Sequence, residues 1–130
     1  MSQKTIKILT FNLALLDIRF FGIKLVKPAE YMEERLALIP DNIFNMNADV
    51  LAFQELYTKE HQDFLIKKIK EQYPFYSRSD NYGLRLNGGL ITLSKYPIIE
   101  SKYIPFKWNT VDEMIVVQRG FLSNIIKIDG

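Results

Sequence analysis

A mixed α/β fold, one sheet with its helices on one face, is what this sequence predicts, and three observations point there. Strand-like and helix-like segments alternate as far as Pro74, whereas strand-like segments follow one another after it. Val50, Leu51, Ala52 and Phe53 cannot all point one way, and neither can Leu90, Ile91 and Leu93, so both strands read as buried on both faces. The order β, α, β, α, β, β, β implies a sheet begun through crossover helices and extended by hairpin strands. Two helices are too few to cover both faces of such a sheet, so the sequence promises more structure than it contains.

TIKILTFNL at 5–13 combines β-branched and aromatic residues in the manner of a strand with both faces partly covered, and Asn12 sits near its end. Residues 14–27 have no clean period and are expected to form a loop or surface excursion. Pro28 opens a helix running to about residue 47, with Glu30, Glu33 and Glu34 at its positive end and Met32, Leu36, Ile39 and Ile43 at helical spacing. Pro40 is expected to kink or reset it. The strand at 50–53 delivers Gln54 and Glu55 at its exit. A second helix is expected over 59–72, with Phe64, Leu65, Ile69 and Tyr73 as its apolar stripe, and Pro74 ends it. Strands are expected around Tyr76, then at 89–94, 98–106 and 116–128, the last broken near Gly120, with Lys95-Tyr96-Pro97 as a turn.

The 130 residues suit one domain with one core, and a composition 48% hydrophobic and 25% charged is that of a folding globular chain. A formal charge of +2 gives no argument for a nucleic-acid or membrane-surface partner. The absence of cysteine removes disulfides, thiolate metal sites and cysteine nucleophiles, so any metal falls to oxygen ligands or to the single histidine. No signal peptide is recognisable at the N-terminus, and Asp17, Arg19 and Lys24 interrupt the apolar run after it well short of a membrane span. A soluble chain, with a cytoplasmic location favoured, is the expectation.

Strand ends gather functional side chains in open α/β sheets. Asn12 and Glu55 lie at the ends of strands joined by one crossover helix, so they are expected to be neighbours. A carboxylate beside an amide suits a hard cation such as Mg²⁺, which takes one or two carboxylates and completes its shell with water and phosphate. On spacing alone the plainer account is that Glu55 pairs with a lysine or caps the next segment, and that Asn12 satisfies a turn. His61, in the second helix, is expected to be an ordinary exposed or helix-face residue.

Five motifs in order change that weighting: TFNL (10–13), EERL with Arg35, ADVLAFQEL (48–56), GGLITLSKYPI (88–98) and RGFL (119–122). Together they resemble the N-terminal half of the endonuclease/exonuclease/phosphatase superfamily, the DNase I-like fold, and the last two look most like its neutral sphingomyelinase-like branch. The resemblance implies the N-terminal half of a four-layer α/β sandwich, with residues 1–130 a partial domain whose C-terminal half is absent. It implies a catalytic Mg²⁺, with Mn²⁺ as the alternative, held by Glu55 with Asn12 beside it. Gln54 would support the strand end, and Arg119 would face the scissile phosphate, for which a guanidinium is geometrically suited. The complete domain would hydrolyse a phosphoester in a nucleic acid, a phospholipid or a phosphoinositide. The family's later phosphate-contacting histidine, GDxN-type pair and terminal aspartate–histidine pair are missing, so these residues alone are expected to turn over little or nothing. The rival expectation is a non-catalytic fragment or interaction module that pairs with a second chain. The apolar segment at 20–26 is a further candidate for a lipid-facing or interface loop, beside the more common fate of such a stretch, covering the core.

Overall fold

The computed structural model describes residues 5–15, 19–20, 23–24, 30–79, 88–107 and 119–128. Within them β1 (Ile8–Leu15), α1 (Met32–Met46), β4 (Val50–Leu56), α2 (Lys59–Ile69), β5 (Phe75–Arg78), β6 (Ile91–Ser94), β7 (Ile98–Pro105) and β8 (Gly120–Ile126) follow in chain order. The excursion after β1 contains a two-residue antiparallel ladder, β2 (Arg19–Phe20) against β3 (Ile23–Lys24). The side chains of the 20–26 segment, like residues 116–118 of the expected last strand, lie outside the described residues.

Four strands form a mixed sheet in the order β1-β4-β6-β5, with β1 parallel to β4 and the other pairs antiparallel. Here the structure departs from the expected single sheet, because β7 and β8 pair with each other in a separate two-stranded ribbon. Small polar side chains direct that arrangement. Asn124 on β8 donates to Thr92 Oγ1 at 2.9 Å and accepts from Ser77 Oγ at 2.6 Å, so the ribbon docks on the polar face of β6 and β5. A polar contact that both donates and accepts fixes one register where an apolar contact would tolerate several.

The opposite face is apolar and carries both helices. Leu51, Phe53, Ile91 and Leu93 from the sheet join Leu36 and Ile43 from α1 and Leu65 and Ile69 from α2 in one buried cluster. All four residues of β6 are buried, the polar Thr92 and Ser94 as well as Ile91 and Leu93, so the strand is covered on both faces as expected. α1 runs unbroken through Pro40, which is itself buried in the helix–sheet contact. Packing of the apolar stripe therefore holds the helix together across the hydrogen bond that proline cannot make. α2 starts at a Thr58 cap, whose hydroxyl accepts the His61 N–H at 3.3 Å, and ends at Ile69, three residues earlier than expected.

His61 is not exposed. It is 7% accessible, its Nε2 lies 3.4 Å from Glu33 Oε1 of α1, and its Nδ1 has no hydrogen-bond partner among the described residues. It is a packed contact between α2 and α1. Among the described residues no helix is long and apolar enough to cross a membrane.

Candidate functional site

The parallel pair β1–β4 keeps strict register from Ile8↔Val50 to Asn12↔Gln54 and then slips, so that Leu15 faces Leu56. Up to the slip, side chains alternate as a strand requires. Thr10, Asn12 and Gln54 share one face, and Gln54 Nε2 donates to Thr10 Oγ1 at 3.0 Å. Leu9, Phe11, Leu13 and Phe53 line an apolar groove of about 330 Å³ with α1 on the other face.

Both strands break the alternation by the same device. Ala14 has φ 49° and Glu55 has φ 58°, in the left-handed region that costs a side-chain-bearing residue about 1–2 kcal/mol. Strict alternation would aim Glu55 at the helices. The left-handed turn instead brings it to the same side as Asn12 and Gln54. Backbone strain of this kind persists only where the surroundings over-determine it, and it concentrates at binding and catalytic sites.

The re-aimed residues line a cleft of about 240 Å³. β1 contributes Asn12; β4 and its exit contribute Gln54, Glu55 and Tyr57; Gly88 and Leu90 come from the approach to β6; Phe106, Arg119 and Gly120 come from the end of the ribbon. Asn12, Glu55 and Arg119, drawn from three distant segments, thus meet in one place. Tyr57 and Phe106 were not singled out from the sequence. Tyr57 stands two residues beyond Glu55, and Phe106 is tied to Arg119 by its backbone N–H, which donates to the Arg119 carbonyl at 2.9 Å.

Two glycines in the quoted motifs owe their places to this cleft. Gly89 has φ 68°, and a Cβ on it would lie 2.9 Å from the Tyr57 ring and 3.2 Å from the Leu56 nitrogen, which donates to the Gly89 carbonyl at 3.0 Å. A Cβ on Gly120 would lie 2.3 Å from the Ile104 carbonyl oxygen and 2.9 Å from the Tyr103 ring. The cleft wall closes only because neither residue has a side chain.

The plain account of Asn12 is part of the structure, since its Oδ1 accepts the Ala14 N–H at 2.9 Å in an Asx turn. The plain account of Glu55 is not. Among the described residues no hydrogen-bond or ion-pair partner engages its carboxylate, and the cap of the next helix is Thr58. No trio of His, Cys, Asp or Glu that could hold a metal occurs among the described residues. The donors in the cleft, one carboxylate and amide oxygens, instead match the partial protein shell that Mg²⁺ accepts when water and phosphate supply the rest.

No protein-family model and no curated protein matches the chain. Solved structures do. A variant of beta toxin from Staphylococcus aureus with bound magnesium ions superposes with a TM-score of 0.76 at 23% identity, over 98% of this chain and 46% of its own. Sphingomyelinase C from Streptomyces griseocarneus gives 0.76 at 23% identity, over 98% and 46%. An endonuclease/exonuclease/phosphatase family protein from Leptotrichia buccalis gives 0.62 at 18% identity, over 97% and 50%. The chain spans about half the length of the structures it matches, and its fold is the N-terminal half of the DNase I-like fold.

Proposed function

We propose that residues 1–130 are part of a metal-dependent phosphoester hydrolase of the endonuclease/exonuclease/phosphatase superfamily, with the cleft at Asn12, Glu55 and Arg119 as its phosphate site. The observation that carries this reading is the strained turn at Glu55, which spends conformational energy to place in the cleft a carboxylate without a partner among the described residues.

Glu55, with Asn12 beside it, would hold Mg²⁺, or Mn²⁺ in its place. Such an ion supplies charge neutralisation at the phosphoryl oxygens. Arg119 would receive the phosphate through its planar fork of donors. Gln54, hydrogen-bonded to Thr10, stiffens the strand end on which Glu55 turns. The base for the attacking water and the acid for the leaving group would come from a second half-domain. Likeness to sphingomyelinase C favours a phospholipid phosphodiester over a nucleic acid or a phosphoinositide.

A second reading, pairing with a complementing chain, is favoured by the edge strand β1, where Ile8 is 66% and Phe11 57% exposed beside the apolar groove. The two readings are compatible, because a complementing half would both cover that edge and bring the missing catalytic groups.

The test is Mg²⁺-dependent hydrolysis of sphingomyelin micelles and of bis(p-nitrophenyl) phosphate by the purified chain, beside its Glu55→Ala variant. Little or no turnover by the chain alone is expected. Turnover abolished by Glu55→Ala would keep the site and overturn the need for a second half; Mg²⁺-dependent turnover that survives Glu55→Ala would overturn the site.

A further inference from the structure

One interaction joins the helix face of the sheet to the cleft face. Arg35 of α1 does not line the cleft; its stem lies in the apolar groove with Leu13, Leu38 and Ile39. Its guanidinium donates through Nη2 to the Leu13 carbonyl and through Nη1 to the Ala14 carbonyl at 3.5 Å. The first acceptor matters most. The Leu13 carbonyl and the Ala14 N–H belong to one peptide group, and that N–H donates to Asn12 Oδ1 at 2.9 Å. A continuous chain therefore runs from the Arg35 cation, through a single peptide, to the Asn12 carboxamide.

We propose that Arg35 is a positioning residue, which orients the Asn12 carboxamide through the Leu13–Ala14 peptide and so presets the amide side of the cleft. The inference rests on the reading of that cleft as a metal and phosphate site.

Three physical points support it. A cation on the carbonyl oxygen polarises the peptide and strengthens its N–H as a donor, the cooperativity expected of linked hydrogen bonds in a partly desolvated setting. A donor fixed in that place decides which end of the carboxamide faces it. Oδ1 turns to Ala14, with one lone pair engaged and the other still available, and Nδ2 keeps both of its N–H groups. The relay also explains the left-handed Ala14: without Arg35, two carbonyls of the bulge would lose their donor and the turn would lack its restraint. Among the described residues no carboxylate pairs with Arg35, so the guanidinium's polar contacts there are these two carbonyls.

The experiment uses nitrogen-15 and amide-exchange NMR on the metal-free chain, followed by an Mg²⁺ titration, for the wild type, Arg35→Met and Arg35→Lys. Arg35→Met is expected to shift the Asn12 side-chain amide pair and to speed exchange at Ala14 at least tenfold, with resonances of α2, β6 and β8 in place. Mg²⁺ affinity should fall about tenfold, and Arg35→Lys should recover part of each effect. If Arg35→Met does not fold, Arg35→Lys, which keeps the charge and loses the fork, is expected to give the smaller version of the same changes. An unchanged Asn12 signature and Ala14 exchange in the folded variant overturn the inference, as does an Mg²⁺ affinity that stays constant while those signals move. Absence of Mg²⁺ binding in the wild type counts against the metal reading instead, and the metal-free signals still decide whether Arg35 orients Asn12.

Discussion

The two ends of β4 are built to opposite standards. At the entry, Asp49 accepts the Lys7 N–H at 2.9 Å and faces Lys95 Nζ at 3.7 Å, while its carbonyl accepts the Lys95 N–H at 3.0 Å. Tyr73, wholly buried, donates to the Ala48 carbonyl at 2.8 Å, and Lys95 Nζ reaches both Asn47 Oδ1 at 2.7 Å and the face of the Tyr73 ring. A left-handed residue is needed there too, and it is Asn47, a type that tolerates that conformation at a helix C-terminus. At the exit the left-handed positions fall to Ala14 and Glu55, which have no such tolerance, and a cleft opens. The same strand is anchored where its polar groups are satisfied and strained where a side chain is re-aimed. Anchoring and backbone strain are thus separated along the seven residues of one strand.

The largest way to disturb this contrast is at the cleft wall. Gly89→Ala is expected to cost about 2–4 kcal/mol, from a left-handed backbone combined with overlap at the Tyr57 ring and the Leu56 nitrogen. Urea denaturation would measure it, and a loss under about 0.5 kcal/mol would mean that Tyr57 moves aside freely.

Tyr73→Phe probes the anchored end. It leaves the Ala48 carbonyl without its donor and is expected to cost about 1–3 kcal/mol with no change in the cleft. Burial, and then the charge of Asp49, raise the Tyr73 hydroxyl above its ordinary value of 10.0. A raised pKa contributes stability that is full below pH 10 and is lost as pH climbs through the raised value. Denaturation midpoints of wild type and Tyr73→Phe should therefore converge in strong alkali, and parallel curves would remove Tyr73 from that role.

The smallest effect has the opposite sign. Glu55→Gly relieves the left-handed penalty, partly offset by the flexibility glycine adds to the unfolded chain, and should stabilise the fold by about 0.5–1 kcal/mol while abolishing metal binding. Destabilisation would show that the Glu55 side chain serves the fold and not the cleft.

Much of this was legible in advance because local chemistry and tertiary outcome agree. The apolar stripes of α1 and α2 became the core, and Leu90, Ile91 and Leu93, which cannot all point one way, announced that the strand there is covered on both faces. What stayed hidden depends on long-range contact. The ribbon leaves the main sheet because Asn124 finds Ser77 and Thr92, a match between segments 32 and 47 residues apart in sequence. His61 gives no local sign of burial, since a histidine on a helix reads alike inside or out. Asn12, Glu55 and Arg119 could be named from motifs, but the device that aims Glu55 could not. A left-handed glutamate leaves no signature comparable to that of a left-handed glycine.

The central question is whether Glu55 and Asn12 act together on a cation beside Arg119. The direct measurement is a nitrogen-15 NMR titration of the chain with Mg²⁺ and then inorganic phosphate. The prediction is that Mg²⁺ moves the Glu55 backbone and Asn12 side-chain signals, that phosphate moves the Arg119 guanidinium only after Mg²⁺ is present, and that Glu55→Ala removes both responses. Shifts confined to other acidic residues, or a phosphate response at Arg119 indifferent to Mg²⁺ and to Glu55, would contradict it.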